Sequence, residues 1–366
     1  MDSKKYNNAK LGIGIFKGIL TFIFLFLLVS TNFSRIIENY LNIFSTNNYV
    51  VFLSFVFSVG IIFSIIFFPL NYYTDFYLEH KYNLSNQTFF KWIWEGLKAL
   101  IVSLVIGIPI MLFLFYSLIN YGSLWWLPFA ILLFVLSVVL ARIVPTIILP
   151  LFYKVTPLEN EVLKYRISSL AKEAGLSVEN VYSFDMSKNT KKANAAFTGL
   201  GKSKRIILGD TLLENFSLDE IETVIAHELG HYKKKHILKN IIIGALSSFL
   251  TLFLIAVLYD VSLKYFGFAD RTIIAAIPLL SLWAMIIGLA QAPLTNMLSR
   301  KYEYEADNYS VTVTNKPEVF SNALEKLNKQ NLGDDNPHPF VEWYFYSHPS
   351  IKKRIESIKK HFIYEG

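Results

Sequence analysis

The chain of 366 residues is 53% hydrophobic and 16% aromatic, with only 17% charged residues and a formal net charge of +7. A soluble domain carries about 25% charged residues, so a water-soluble enzyme and intrinsic disorder are both excluded. Cysteine is absent, which removes disulfide scaffolds, thiolate zinc sites, iron–sulfur clusters and cysteine-nucleophile hydrolases.

Six segments are long and apolar enough to cross the roughly 30 Å hydrocarbon core: Leu11–Ser30, Val50–Leu70, Ala99–Ile119, Leu124–Phe152, Ile241–Tyr259 and Thr272–Ser299. Leu11–Ser30 contains Lys17 and is too long for the apolar run of a cleaved signal peptide. The fourth segment holds Arg142, Pro145 and Pro150 and is expected to span and then break. Lys4, Lys5 and Lys10 precede the first span, which puts the N-terminus on the cytoplasmic side. An even number of spans returns the lysine-rich regions to that same side. The excess positive charge therefore reads as positive-inside bias, not as a nucleic-acid surface.

The chain divides into membrane helices over 1–152, a polar region over 153–240, two further spans over 241–299 and a second polar region over 300–366. The polar regions are each small for an independent core and are expected to pack as one composite domain. Leu158–Ala174 reads as an amphipathic helix, with Leu163, Ile167 and Leu170 on one side. Val181–Phe184, Asn194–Phe197 and Arg205–Leu208 read as short strands, with a turn at Gly199–Gly201. Ser217-Leu-Asp-Glu220 is a capping box that opens a helix.

That helix runs into His227-Glu228-Leu229-Gly230-His231. Residues four apart share a helical face, so the two imidazoles can reach one tetrahedral Zn²⁺. Glu228 lies between them and suits a general base acting on water at the metal. A catalytic zinc takes a third protein ligand, with Glu303, Glu305, Asp307, His236, His338 and His348 as candidates. On a helix Glu303 and Asp307 share a face, which suits a metal ligand and a carboxylate that holds an imidazole N–H. Glu305 points away and reads as a surface charge. His236 falls about 140° from His231 on a continuous helix and reads as a helix-terminal or structural residue. His348, before Pro349, can donate a hydrogen bond to a developing oxyanion. His80, His338 and His361 read as structural.

These residues sit in a longer series. Glu79–Thr88, Pro150–Pro157, Asn194-Ala-Ala-Phe197, Lys204–Leu213, His227–His236, Ser299–Asp307, Leu327–Gly333 and Ser347-His-Pro349 follow in order. From about Phe52 to Arg354 the chain resembles the type I CaaX prenyl endopeptidases, the Ste-type membrane-integral zinc metalloproteases. The resemblance implies one Zn²⁺ held by His227, His231 and Glu303, with Glu228 as general base and Asp307 behind the ligands. It implies transition-state and substrate-backbone contacts for His348 and Arg354. Asn194 and Ala195 then lie on an edge strand that pairs with extended substrate. The implied fold is an α-helical multi-pass protein, a ring of tilted helices around a chamber, with a zincin-like domain carrying a small edge sheet.

The chain departs from the eukaryotic members in having six spans against seven, no long acidic insertion before the histidine motif and no dilysine signal at its C-terminus. A compact prokaryotic relative is expected, in the cell's inner membrane; a eukaryotic one would sit in the endoplasmic reticulum. The expected partners are the bilayer and a peptide or protein substrate, with or without a lipid modification. The alternatives are a heat-shock-type quality-control metalloprotease and a non-enzymatic receptor or transporter stabilised by zinc.

Overall fold

The computed structural model describes residues 2–175, 181–198 and 205–365; the expected turn at Gly199–Gly201 lies outside them. In chain order the first helices are α1 (Asp2–Ser30), α2 (Phe33–Asn42), α3 (Asn48–Asn71), α4 (Leu78–Lys81), α5 (Phe89–Asn120), α6 (Trp126–Ile143) and α7 (Leu149–Phe152). The soluble part follows with β1 (Val155–Pro157), α8 (Glu161–Glu173), β2 (Val181–Phe184), β3 (Ala195–Thr198), β4 (Arg205–Gly209), α9 (Asp210–Asn215) and α10 (Leu218–Lys233). Then come α11 (His236–Tyr265), α12 (Pro278–Thr314), α13 (Pro317–Gln330), α14 (Pro339–Phe345) and α15 (Ile351–Glu365).

Six helices among the described residues are long and apolar enough to span a membrane, as the hydropathy predicts. They form a closed cycle: α1 packs on α3, α3 on α5, α5 on α6, α6 on α11, α11 on α12, and α12 on α1. In the most apolar stretch of five of the six, only 11–22% of the residues are buried. A helix in a solid bundle buries its inward face. So small a buried share agrees with a ring around an open interior. The apolar core of the ring gathers at one end, where Phe52, Phe115, Trp125, Tyr259 and Ala275 pack together. The other end carries the soluble domain. The charge of Lys17 is met within the spans by Thr74, 3.0 Å away.

Three details differ from the sequence reading. The fourth span does not break at its prolines: Pro145 lies in a π-helical turn, Val144–Ile148, that carries α6 on into α7. A π turn absorbs the backbone bond that proline cannot make. The amphipathic helix starts at Glu161, capped by Asn160, because Val155–Pro157 pairs with β2 instead. The sixth span does not end at Ser299; α12 continues to Thr314 and carries its C-terminal half into the soluble domain.

The sheet has the order β1-β2-β4-β3. β2 and β4 are parallel, and the outer pairings are antiparallel. β3 is thus an edge strand. α8 and α10 cover one face through Leu163, Ile167, Ile206, Leu208, Ile221 and Ile225. The capping box at Ser217 and Glu220 is formed as the sequence predicts and fixes where α10 begins.

Candidate active site

The site lies where α10 crosses α12. Gly230 makes the crossing close: a Cβ there would stand 3.0 Å from Ala306 Cα and 3.2 Å from Tyr309 Cβ. Ser310 Oγ also donates to Thr223 O at 2.7 Å, tying the two helices together. The close approach brings Glu303 of α12 against both histidines of α10.

His227, His231 and Glu303 form a cluster able to hold a metal ion. His227 Nε2 lies 3.2 Å from His231 Nε2 and 3.6 Å from Glu303 Oε2, and His231 Nε2 lies 3.4 Å from Glu303 Oε1. Tetrahedral zinc with bonds of about 2.0–2.2 Å sets its ligand atoms about 3.3 Å apart. The donor set of two imidazoles and a carboxylate therefore fits zinc in both chemistry and spacing. Glu228 is on the same turn and accepts the Phe197 N–H of β3 at 3.4 Å. It stands between the donor cluster and the sheet edge.

Each histidine is held from behind. His227 Nδ1 lies 2.8 Å from Asp307 Oδ1. Arg354 of α15 forks onto the same carboxylate, Nε to Oδ2 at 2.8 Å and Nη2 to Oδ1 at 2.5 Å, and its Nη1 is 3.4 Å from Glu303 Oε2. Burial disfavours the charged form of His227, but the Asp307 hydrogen bond and charge outweigh it and raise its pKa. Burial also opposes the Arg354 charge, and Asp307 and Glu303 again prevail, holding it raised. The Arg354 side chain is 8% exposed and packed behind the donors.

His231 Nδ1 meets His236 Nδ1 at 3.0 Å, and His236 Nε2 meets Glu305 Oε2 at 2.9 Å. If His231 binds a metal through Nε2, its proton sits on Nδ1 and is donated to His236, which in turn donates to Glu305. The reading of Glu305 as a plain surface charge is corrected here, and His236 does more than start a helix. The 140° offset assumed a continuous helix. In fact α10 ends at Lys233, and Lys235 adopts a left-handed conformation (φ 58°) that turns His236 back toward His231. The Lys233-Lys-Lys235 run was the available signal, since no apolar periodicity crosses it.

His348 sits on the open side, its side chain 65% exposed and its Nε2 3.5 Å from Glu303 Oε1. Its loop is clamped by Arg300, which donates to the carbonyls of Glu342, Trp343 and Tyr346, and by Glu342, which accepts from Ser350 N. Asn194 is exposed just before β3, and Ala195 lies on the edge strand itself. His80 and His338 lie in local contacts away from the cluster.

A ring of spans joined to a domain with a metal-binding helix pair and a free sheet edge defines a membrane-integral metallopeptidase. Comparison with known proteins agrees. A profile described as peptidase family M48 matches residues 157–361, and one described as CAAX prenyl protease N-terminal, five membrane helices, matches 1–154. Within 1–154 the described residues hold four spans, with the short α2 between the first two. CAAX prenyl protease 1 of Saccharomyces cerevisiae is 35% identical over 79% of this chain and 68% of its own. The uncharacterized metalloprotease YhfN of Bacillus subtilis is 31% identical over 98% of this chain and 85% of its own. The crystal structure of S. mikatae Ste24p superposes with a TM-score of 0.87, at 29% identity, over 97% of this chain and 88% of that one. The chain belongs to peptidase family M48, in its membrane-integral CAAX prenyl protease branch.

Proposed function

We propose that the protein is a zinc endopeptidase that cleaves the C-terminal region of membrane-associated, prenylated or otherwise lipidated peptides on the cytoplasmic side of the inner membrane. The observation that carries this reading is the juxtaposition of three donor atoms at zinc spacing with Glu228, which reaches toward a free sheet edge. His227, His231 and Glu303 hold the metal. Zinc, when bound, polarises water and the substrate carbonyl. Glu228 takes the proton of the attacking water and later returns it to the leaving amine. His348, exposed at the mouth of the site, donates to the carbonyl oxygen as it gains charge. Asp307 with Arg354, and His236 with Glu305, hold the two histidines in orientation.

The extended substrate pairs with β3 through Ala195, with Asn194 exposed at the strand entrance. The positive-inside bias of Lys4, Lys5 and Lys10 supports the cytoplasmic side. The test is cleavage by purified protein of a prenylated peptide and its unprenylated twin, with and without chelator. The reading expects cleavage that chelation abolishes and zinc restores, faster for the prenylated peptide. Chelator-insensitive cleavage, or none at all, would refute it.

A further inference from the structure

Two neighbouring spans each end in a lysine at the side of the soluble domain. On α11, Ile242, Leu246 and Leu250 follow one another along one face and are 52–68% exposed. The opposite face carries Gly244 and Ser248. In a ring around an open interior the small and polar face turns inward, and an apolar stripe this exposed meets acyl chains. Lys239 ends that stripe, one turn before Ile242. On α12, Leu294 and Met297 form a like stripe, 64% and 57% exposed, and Lys301 ends it one turn after Met297. Each lysine falls two residues outside its expected apolar segment. At 1.5 Å per residue that is about 3 Å, within the headgroup layer.

The two ammonium groups converge. Lys239 Nζ lies 3.8 Å and Lys301 Nζ 3.9 Å from Glu305. Both distances are too long for hydrogen bonds, and the side chains are 46% and 71% exposed, so their donors are open to a further anion. Lys233-Lys234-Lys235 adds three exposed lysines at the turn into α11. Among the described residues, Glu305 is the one carboxylate within 4.0 Å of any of these five lysines.

The same lysines adjoin the groups behind His231. Lys239 Nζ stands over the Tyr302 ring, 5.4 Å from its centroid, and Tyr302 stacks on His236 at 4.1 Å. Lys235 holds the left-handed turn that aims His236, a conformation disfavoured for a residue with a Cβ. Three like charges in sequence add repulsion to that turn.

We propose that Lys234, Lys235, Lys239 and Lys301 bind the headgroups of anionic phospholipids, and that the bound headgroups secure the α10–α11 turn and so keep His236 behind His231. A lysine near an anionic surface strengthens association roughly fivefold. The headgroup phosphates neutralise the repulsion at the turn, which lowers the cost of the left-handed Lys235. The lipid site stands on the charge and the apolar stripes alone; its link to His231 rests on the zinc reading above.

The experiment places the full-length protein in nanodiscs of phosphatidylcholine, alone or equimolar with phosphatidylglycerol. Lipid retained by the protein is read by mass spectrometry, on metal-free and zinc-loaded samples. Zinc retention is read by chelator competition. The wild type is expected to enrich phosphatidylglycerol and to hold zinc about tenfold more tightly in the anionic discs, the lower end of what an outer partner of a ligand contributes. Lys234→Gln with Lys235→Gln should lower the enrichment roughly fivefold per lysine and remove most of the lipid dependence of zinc retention. Lys235→Gly adopts the left-handed turn without strain and should hold zinc in neutral discs nearly as well as the wild type does in anionic ones. Inorganic phosphate added to neutral discs should change nothing.

No enrichment in the wild type, enrichment unaltered in the double variant, or an equal effect of free phosphate would each overturn the lipid site. Equal wild-type zinc retention in the two bilayers, or a Lys235→Gly protein as lipid-dependent as the wild type, would overturn the link to His231. The wild-type comparison decides even if a variant fails to fold. A protein that binds no zinc in either bilayer overturns the zinc reading and the link together, while enrichment on the metal-free protein still decides the lipid site.

Discussion

Arg354 separates two accounts of the site. The family resemblance points to a substrate contact, whereas the structure packs it behind the metal donors. In Arg354→Ala the Asp307 carboxylate, fully buried, loses both hydrogen bonds of the guanidinium fork. Glu303 loses a cation 3.4 Å away. Removing one partner of a buried pair leaves an uncompensated charge and costs about 3–5 kcal/mol. At about 2–4 °C per kcal/mol, the scale for a domain of 150–250 residues, Tm should fall on the order of 10 °C. The drop should be larger without metal, because zinc, when bound, offsets part of the negative charge of Glu303. Arg354→Lys keeps the charge but not the fork and should fall between. The assay is Tm of metal-free and zinc-loaded protein, with zinc retention against a chelator and steady-state kinetics on the same samples. Unchanged Tm and zinc retention with a raised KM would refute the reasoning and place Arg354 against the substrate.

Glu228→Gln is expected to keep zinc and lose about 10²–10⁴-fold or more in kcat; retained turnover with bound metal rules out the general-base role. His236→Ala and Glu305→Gln should each weaken zinc binding about 10–100-fold in chelator competition, while Glu305→Gln leaves the metal-free Tm nearly unchanged; full affinity in both would make the chain behind His231 incidental. Gly230→Ala should cost about 1–3 kcal/mol by overpacking against Ala306 and should lower zinc affinity as Glu303 moves away from the histidines. A stable, fully metal-loaded variant would mean that the helix crossing tolerates a methyl group. His348→Ala should bind zinc normally and lose about 10²–10³-fold in kcat; a loss of Tm without a loss of kcat would mark it as a packing residue.

What the sequence reveals and what it hides follow from the range of each interaction. Spans are legible because each apolar run of about 20 residues must satisfy its own backbone bonds within itself. The pairs His227 with His231 and Glu303 with Asp307 are legible because a helix sets residues four apart on one face. Two side chains on one helix therefore need no knowledge of the rest of the fold. Gly230 is a position to which helical spacing assigns no role. Its meaning appears only where Ala306, from another helix, passes 3.0 Å from the place of its missing Cβ.

The less legible residues are those that act across a break or from far along the chain. His236 lies five residues from His231, yet its direction depends on one left-handed residue, Lys235, which no periodicity reveals. Arg354 reaches Asp307 across 47 residues and Asn331 reaches Ala193 across 138, by hydrogen bonds that leave no local pattern. The metal donors come from two helices; spacing pairs His227 with His231 on one and Glu303 with Asp307 on the other. The groups that orient those donors come from α11, α12 and α15. Farther along the chain still, closure of the ring brings the first membrane helix, through Asn7, beside the segment that follows α13.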